Sequence, residues 1–454
     1  MLEKTQLLEE NRPFLRTANL RIGSYELVKV GLLERRKFLR MLHACLLLPQ
    51  LSELFCEFSV PLQQDDARHL PELETIIKEA VAARSLTGSV GTTIKALKLP
   101  NLCKRNSDVL VFPLLKSGLL ELETFELPTI IGEQEPVYYR NFVREYCPTL
   151  RHLVLPVCAI ANDEGEMACH FIRGAVELKS IRGVVPSAES GRQSTSHVIR
   201  TTLESHSRTL EGLEIERGDM ICSDDQQAIL TSCVQLKRLW LEPQSKSKPE
   251  GGLQFQDILG GAWTCLGLRE LCLTMDRTID VSLVLEAMRQ ESSLMSVDQN
   301  TTRRTDTESY ENDDVESVSK GSDEDEQDKR RALAWAAKRA YSQIGRLADL
   351  QVLALGVVEG YHSLDHTSHS VWDLTLAKGW LAELKGLKNL RELHLRTNMW
   401  ERMGQAEVEF MDAHWPFLSH ITFSSDRRLQ GMTDQPHWRW LRERRPNLRY
   451  NYDF

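Results

Sequence analysis

Large apolar residues recur along the chain in a short frame, in which they hold the first, fourth and sixth positions and polar residues lie between them. Leu150, Leu153 and Leu155 form the clearest copy, and frames at intervals of 28 residues begin at Leu122 and Ile94. Because side chains alternate between the two faces of a strand, the fourth and sixth positions share one face. Each frame therefore predicts a short strand, and the regular spacing predicts a repeat protein.

The frame can be followed over nearly the whole chain, and its last copy is degenerate. Its first residues are Leu15, Leu51, Ile94, Leu122, Leu150, Leu178, Leu210, Leu236, Leu268, Leu350, Leu390, Leu418 and Leu448. Proline stands two residues before several frames, as at Pro148 and Pro416, where it ends the preceding helix. Cysteine stands three residues before others, as at Cys233. The pattern predicts an α/β fold: a leucine-rich-repeat solenoid with a curved parallel sheet on the concave side and helices on the convex side.

The segments between frames carry apolar residues at helical spacing. Residues 65–84 predict an amphipathic helix, because Leu73, Ile76, Ile77 and Ala80 fall on one face. Further convex helices are predicted over residues 137–146, 166–176, 196–205, 223–232 and 329–347.

The long interval between the frames at Leu268 and Leu350 divides the chain. Residues 300–330 hold 11 acidic against 5 basic residues, and such a composition cannot bury enough apolar surface to offset the entropy of ordering. We expect N-terminal repeats over 1–285, a disordered acidic insertion over 286–330, and C-terminal repeats with a basic and aromatic cap over 331–454. For the cap, anion binding by Arg442, Arg444 and Arg445 is the alternative to covering the end of the core.

Charge and hydropathy limit the partners. The net charge is −9 and no basic stripe is evident, so we expect no nucleic-acid partner. The longest uncharged run, residues 41–52, is too short to cross a bilayer, and the first residues lack the apolar core of a secretory signal. Most of the ten cysteines fall in the repeat frame, where a free cysteine acts as a small buried apolar residue. We expect an intracellular protein, cytoplasmic or nuclear, that is a monomer without a membrane partner.

No recognised catalytic or cofactor-binding motif is found, so we expect neither an enzyme nor a bound cofactor or metal. His362, His366 and His369, with Asp365, form the one local imidazole cluster. A polar loop is the favoured interpretation of this cluster, because histidine-rich tracts are weak compositional signals. A hydrolase in this irregular region stays open as a third functional class.

Residues two, four and six positions after the first frame residue point away from the helices, onto the concave face. The candidates for contacting a protein partner are Glu214, Glu216, Arg238, Trp240, Glu242, Glu270, His394 and Arg396. Trp240 stands out, because a large aromatic residue beside Arg238 has the composition of a binding hot spot. Two alternatives stay open: long charged neighbours cover Trp240, or the frame is shifted by one residue and Trp240 is buried.

Four segments carry a resemblance to a known family. They are WTCLGLRELCLT (263–274), GWLAELKGLKNLREL (379–393), MGQAEVEFMD (403–412) and WLRERRP (440–446). The chain resembles a fungal family of F-box/leucine-rich-repeat proteins with repeats of the ribonuclease-inhibitor type. The resemblance implies a substrate-recognition part of a ubiquitin ligase adaptor, which binds an unidentified protein substrate through its repeats.

The family typically carries an F-box before the repeats, which docks on a Skp-type adaptor of a cullin ubiquitin ligase. That box is not found here; Leu70-Pro71-Glu72 resembles its opening, but the rest of the pattern does not follow. A Skp-type adaptor is an expected partner if an F-box precedes Met1. The alternative is a stand-alone interaction scaffold or inhibitor with no ubiquitin connection.

Overall fold

In the computed structural model the chain forms two compact units, Met1–Met220 and Ile221–Phe454. The first unit is described over residues 17–22, 40–48, 51–58, 70–86, 94–98, 114, 116–117, 120–126, 136–155, 164–184 and 189–216. The second is described over residues 221–242, 252–259, 261–276, 280–299, 321–358, 374–377, 380–396, 403–424 and 435–453. None of the helices in these ranges has the length and hydropathy needed to cross a bilayer.

The first unit is a parallel sheet whose strands follow one another in chain order. The strands are β1 (Thr17–Ile22), β2 (Glu53–Phe58), β3 (Ile94–Lys98), β4 (Leu120–Glu126), β5 (His152–Leu155), β6 (Ser180–Val184) and β7 (Gly212–Glu216). The helices between them are α1 (Leu70–Leu86), α2 (Pro136–Tyr146), α3 (Glu164–Gly174) and α4 (Glu189–His206).

The second unit is also a parallel sheet, in the order β8-β10-β11-β12-β13-β14, and β9 pairs with the end of β10. Its strands are β8 (Arg238–Glu242), β9 (Leu253–Gln254), β10 (Glu270–Asp276), β11 (Val352–Val358), β12 (Glu392–Arg396), β13 (His420–Ser424) and β14 (Arg449–Asp453). Its helices are α5 (Ser223–Ser232), α6 (Phe255–Ile258), α7 (Val281–Gln299), α8 (Gly321–Gly345), α9 (Trp380–Glu383), α10 (Gln405–His414) and α11 (Pro436–Arg444).

The frame leucines form the core in both units. Leu150, Leu153 and Leu155 are each 1% exposed, and burying a leucine stabilises a fold by about 1.5–3 kcal/mol. Helices cover this face of the sheet, as the ring of Phe125 on β4 lies 5.9 Å from that of Phe171 on α3. The predicted α/β fold with parallel leucine-rich-repeat strands is confirmed, while the two-residue strand β9 was not predicted.

A tight turn precedes many of the described strands. The Leu150 N–H donates to the Cys147 carbonyl at 3.1 Å, and Leu236 makes the same 3.1 Å bond to Cys233. Cys147 and Cys233 are buried, and burial raises the pKa of each thiol to about 12. Both cysteines are thus neutral and act as small buried apolar residues at the turn, as the frame predicted.

The predicted boundaries of the insertion, at residues 286 and 331, stay a prediction. The expectation that the whole insertion is disordered needs a correction at both of its ends. The helices α7 and α8 occupy both ends of the expected disordered insertion, and residues 300–320 lie outside the described ranges. Each helix has a packed end beyond the acidic range, where Val284 and Ala336 are buried, and extending a helix from a packed turn costs little. An ion pair of 3.0 Å from Arg339 Nη1 to Glu291 Oε1 joins the two helices. The average composition of residues 286–330 did not indicate that helices occupy its two ends.

The last repeat replaces the buried residue of the turn with Arg445. Its Nε lies 2.8 Å from Asp412 Oδ1, and its Nη atoms donate to the Trp415 and Asp412 carbonyls at 2.6 Å. Arg444 Nε contacts the other Asp412 oxygen at 2.8 Å. Burial alone would raise the pKa of Asp412, but the two arginines outweigh burial and lower it. These contacts favour the cap over anion binding, since two of the three arginines are bound within the repeats.

His206 ties three elements of the first unit together. Its Nδ1 accepts a 3.4 Å hydrogen bond from the Leu178 N–H, so the proton sits on Nε2, which donates to the Ile172 carbonyl at 2.8 Å. The side chain is 3% exposed. Burial lowers the pKa of His206 below its ordinary value of 6.5, although the bond to Ile172 opposes that shift. The neutral ring is the structural form.

We predict that this histidine makes the first unit sensitive to acid. Because the folded pKa lies below 6.5, its contribution is complete above pH 6.5 and is lost as the pH falls through the folded pKa. His206→Gln, whose amide can donate and accept without a charge, should reduce the loss of stability between about pH 8 and pH 5. Urea midpoints of both proteins at the two pH values measure this; an equal loss in the variant would contradict it.

Candidate protein-binding surface

Each sheet has a face opposite the buried leucines, which we call the open face; it corresponds to the concave face of the sequence analysis. On the first unit it holds Glu214 and Glu216 of β7. Arg182 of the neighbouring strand β6 reaches both, with 3.3 Å from Nε to Glu214 Oε1 and 3.3 Å from an Nη to Glu216 Oε1. The frame around Gly183 is broken, so the sequence did not single out Arg182. One exposed arginine therefore contacts both carboxylates and offsets part of their negative charge.

The second unit brings Trp240 and His394 together across four strands. Trp240, Cys272, Ala354 and His394 are lateral neighbours on β8, β10, β11 and β12. The outer two strands lie about 14 Å apart at the usual spacing, yet the two rings meet at a centroid distance of 6.3 Å and an interplanar angle of 88°. Both side chains must lean inward over the small residues between them. Accordingly, Cys272 and Ala354 are each 1% exposed.

Charged groups hold the two aromatic side chains in place. The Arg238 guanidinium lies 5.7 Å from the centre of the Trp240 ring, a contact that contributes about 0.5–1 kcal/mol at an exposed site. Its Nε is 3.1 Å from Glu270 Oε2. On β12, His394 Nε2 lies 3.5 Å from Glu392 Oε2. We call Arg238, Trp240, Glu270, Glu392 and His394 the aromatic cluster.

Trp240 is half-buried, and the sequence left open whether charged neighbours cover it or a shifted frame buries it. The register is the predicted one, because its neighbours Leu239 and Leu241 are 0% and 2% exposed and face the core. Its exposure is reduced by Arg238 on its face and His394 at its edge, not by a shifted frame. The part of the side chain that remains exposed is available for a partner to contact.

Two other candidates are only partly described. Glu242 and Arg396 end their strands on the predicted face, and their side chains lie outside the described part of the structure. Whether any candidate contacts a partner stays a prediction. The sequence analysis did not name Ala354, although counting four residues from Leu350 would have placed it on the open face.

The described residues offer no alternative metal centre. Within them, no three His, Cys, Asp or Glu side chains are placed to hold a metal ion. The histidine cluster of His362, His366 and His369 lies outside the described ranges. The open faces present ion pairs and an aromatic cluster on flat strands, which suits recognition of another surface.

Comparisons with known proteins add little to this geometry. No protein-family profile and no curated protein matches the chain. A crystal structure of the yeast Rad7 and Elc1 complex aligns with 94% of this chain and 98% of its own chain, at 11% identity and a TM-score of 0.26. A likeness at this level carries no argument about the site.

We predict that the aromatic cluster shields the Cys272 thiol. Trp240→Ala should open the space above Cys272, so that iodoacetamide alkylates it several-fold faster. Mass-spectrometric mapping measures the rate at each cysteine, and the exposed Cys222 serves as the internal reference. Unchanged protection of Cys272 in a folded variant would show that Trp240 does not cover it.

Proposed function

We propose that this chain is a non-catalytic protein-binding repeat protein and that the open face of the second unit is its binding site. The observation that carries the proposal is the aromatic cluster, in which a half-exposed Trp240 is held by Arg238 and His394. Tryptophan and arginine are the residues most enriched in binding hot spots. A side chain already fixed by its neighbours loses little conformational entropy when a partner binds.

The first test compares two tryptophans of similar exposure. Trp240→Ala should weaken partner binding by about 30-fold or more, as expected for the loss of a hot-spot aromatic residue. Trp440→Ala is the matched control, because Trp440 is also half-buried beside an arginine, with Arg444 at 5.1 Å, but lies on α11 outside the sheet. Quantitative affinity capture with each full chain measures which proteins are lost.

The proposal predicts a set of captured proteins that is retained by the control and lost with Trp240→Ala. Thermal unfolding of both variants checks that they remain folded. If folded Trp240→Ala captures the same proteins as the control, the aromatic cluster is not the binding site.

A narrower role in ubiquitin ligation is supported by the resemblance of the C-terminal repeats to the F-box/leucine-rich-repeat family. In that role the chain would be the substrate-recognition part of a ligase adaptor. Immunoprecipitation of the endogenous protein should then recover a Skp-type adaptor and a cullin. A precipitate with neither of them favours the second candidate, a stand-alone interaction scaffold or inhibitor, which needs only the same open face.

A further inference from the structure

The residue that directly follows the first frame leucine lines the edge of the second sheet where the strands begin. In this row the backbone N–H of each residue donates to the carbonyl of the preceding one, at 2.7–2.8 Å. We call these residues the edge row: Lys237, Arg269, Gln351, Arg391, Ser419 and Arg449. The hydrogen bonds fix them as lateral neighbours over six strands, although they are spread over more than 200 residues of sequence.

Four of the six side chains in the edge row are cationic. Lys237, Arg269, Arg391 and Arg449 are exposed, and the two other members are uncharged. Within the described part of the chain, no carboxylate forms an ion pair with Arg269, Arg391 or Arg449. The local field is positive, although the whole chain has a net charge of −9.

The corresponding row of the first unit provides an internal comparison. It reads Lys95, Glu123, Arg151, Lys179 and Glu211, so two acids stand among three bases. Lys95 Nζ lies 2.7 Å from Glu123 Oε1, and Lys179 Nζ lies 2.9 Å from Glu211 Oε1. Two bases of the first row are therefore paired with neighbouring acids, whereas Arg269, Arg391 and Arg449 of the second row have no such ion pair among the described residues.

Exposed apolar side chains accompany the positive row. Val234 and Leu266 stand three residues before Lys237 and Arg269, in the turns that lead into β8 and β10, and are 53% and 46% exposed. Phe417, two residues before Ser419, is 60% exposed. Exposed apolar side chains thus stand beside Lys237, Arg269 and Ser419 at this edge, and the combination of apolar and cationic groups marks an interaction surface rather than a plain solvated one.

We propose that the edge row binds an extended segment of a partner polypeptide in which acidic residues are interspersed with apolar ones. Six strands at the usual spacing span about 24 Å, the length of about seven extended residues. Carboxylates of the segment would pair with Arg269, Arg391 and Arg449, while its apolar side chains would cover Val234, Leu266 and Phe417. Charge complementarity along this edge selects an acidic segment over a basic one.

A peptide fits this edge better than a nucleic acid does. Glu270 and Glu392 directly follow Arg269 and Arg391 and begin the neighbouring row of the open face. A continuous phosphate backbone carries a charge on every nucleotide and would be repelled by these carboxylates and by the net negative charge. In the proposed segment the apolar residues space the carboxylates apart, so that these can lie at the arginines and away from Glu270 and Glu392. The apolar side chains would also have no partner on a phosphate backbone.

The test measures anisotropy of a fluorescein-labelled peptide of about ten residues, alternating glutamate and leucine, with the full chain. A peptide with lysine in place of glutamate and single-stranded DNA are the comparison probes. The variant carries Arg269→Glu and Arg391→Glu in the edge row. Its matched control carries Arg151→Glu and Arg208→Glu, two exposed arginines of the first unit, and changes the net charge equally.

We expect the acidic peptide to bind, to be released by salt, and to lose about tenfold or more in affinity with the edge-row variant, with little change in the control. Thermal unfolding confirms that both double variants fold. No binding of the acidic peptide, equal losses in both variants, or preference for DNA would each overturn the inference. Trp240→Ala should leave peptide binding intact, so failure here is distinct from failure of the proposed binding site on the open face.

Discussion

The backbone hydrogen bond between equivalent positions of successive strands sets the register of each sheet. The N–H of the residue after the first frame leucine donates to the carbonyl of the same position in the preceding strand, as from Lys179 to Arg151 at 2.7 Å. A slip of one residue would exchange the buried and open faces of a whole strand. The buried leucines and the turns before many of the strands prevent that slip. The arrangement of side chains on each surface depends on this register.

Fixed register turns sequence positions far apart into neighbours, and the two units use this differently. On the first unit, Glu214 and Glu216 share Arg182, and the edge is neutralised by pairs such as Lys95 with Glu123. On the second unit, aromatic rings close over small residues and the edge keeps its positive charge. The same repeat geometry therefore yields one surface dominated by ion pairs and another with an aromatic cluster beside a mainly basic edge.

The strands were predictable because the alternation of apolar and polar residues and the repeated leucines that are buried can be read directly from the sequence. The Trp240–His394 contact was not, since it depends on which strands are neighbours and on both side chains leaning over Cys272 and Ala354. The basic edge was missed because successive members of the edge row are separated by 28 to 82 residues, so no sequence window contains a stripe. Aligning the repeats and comparing the residue that follows the first frame leucine in each would have shown the basic edge.

The central claim is that the open face of the second unit is a binding surface, and hydroxyl-radical footprinting with a captured partner tests it most directly. In the free protein, the half-exposed Trp240 and Trp440 should both be oxidised, while the buried Trp263 and Trp415 are not. The account predicts that the partner protects Trp240 and His394 and leaves Trp440 unchanged. Protection of Trp440 or of the helices, with Trp240 still oxidised, would contradict it.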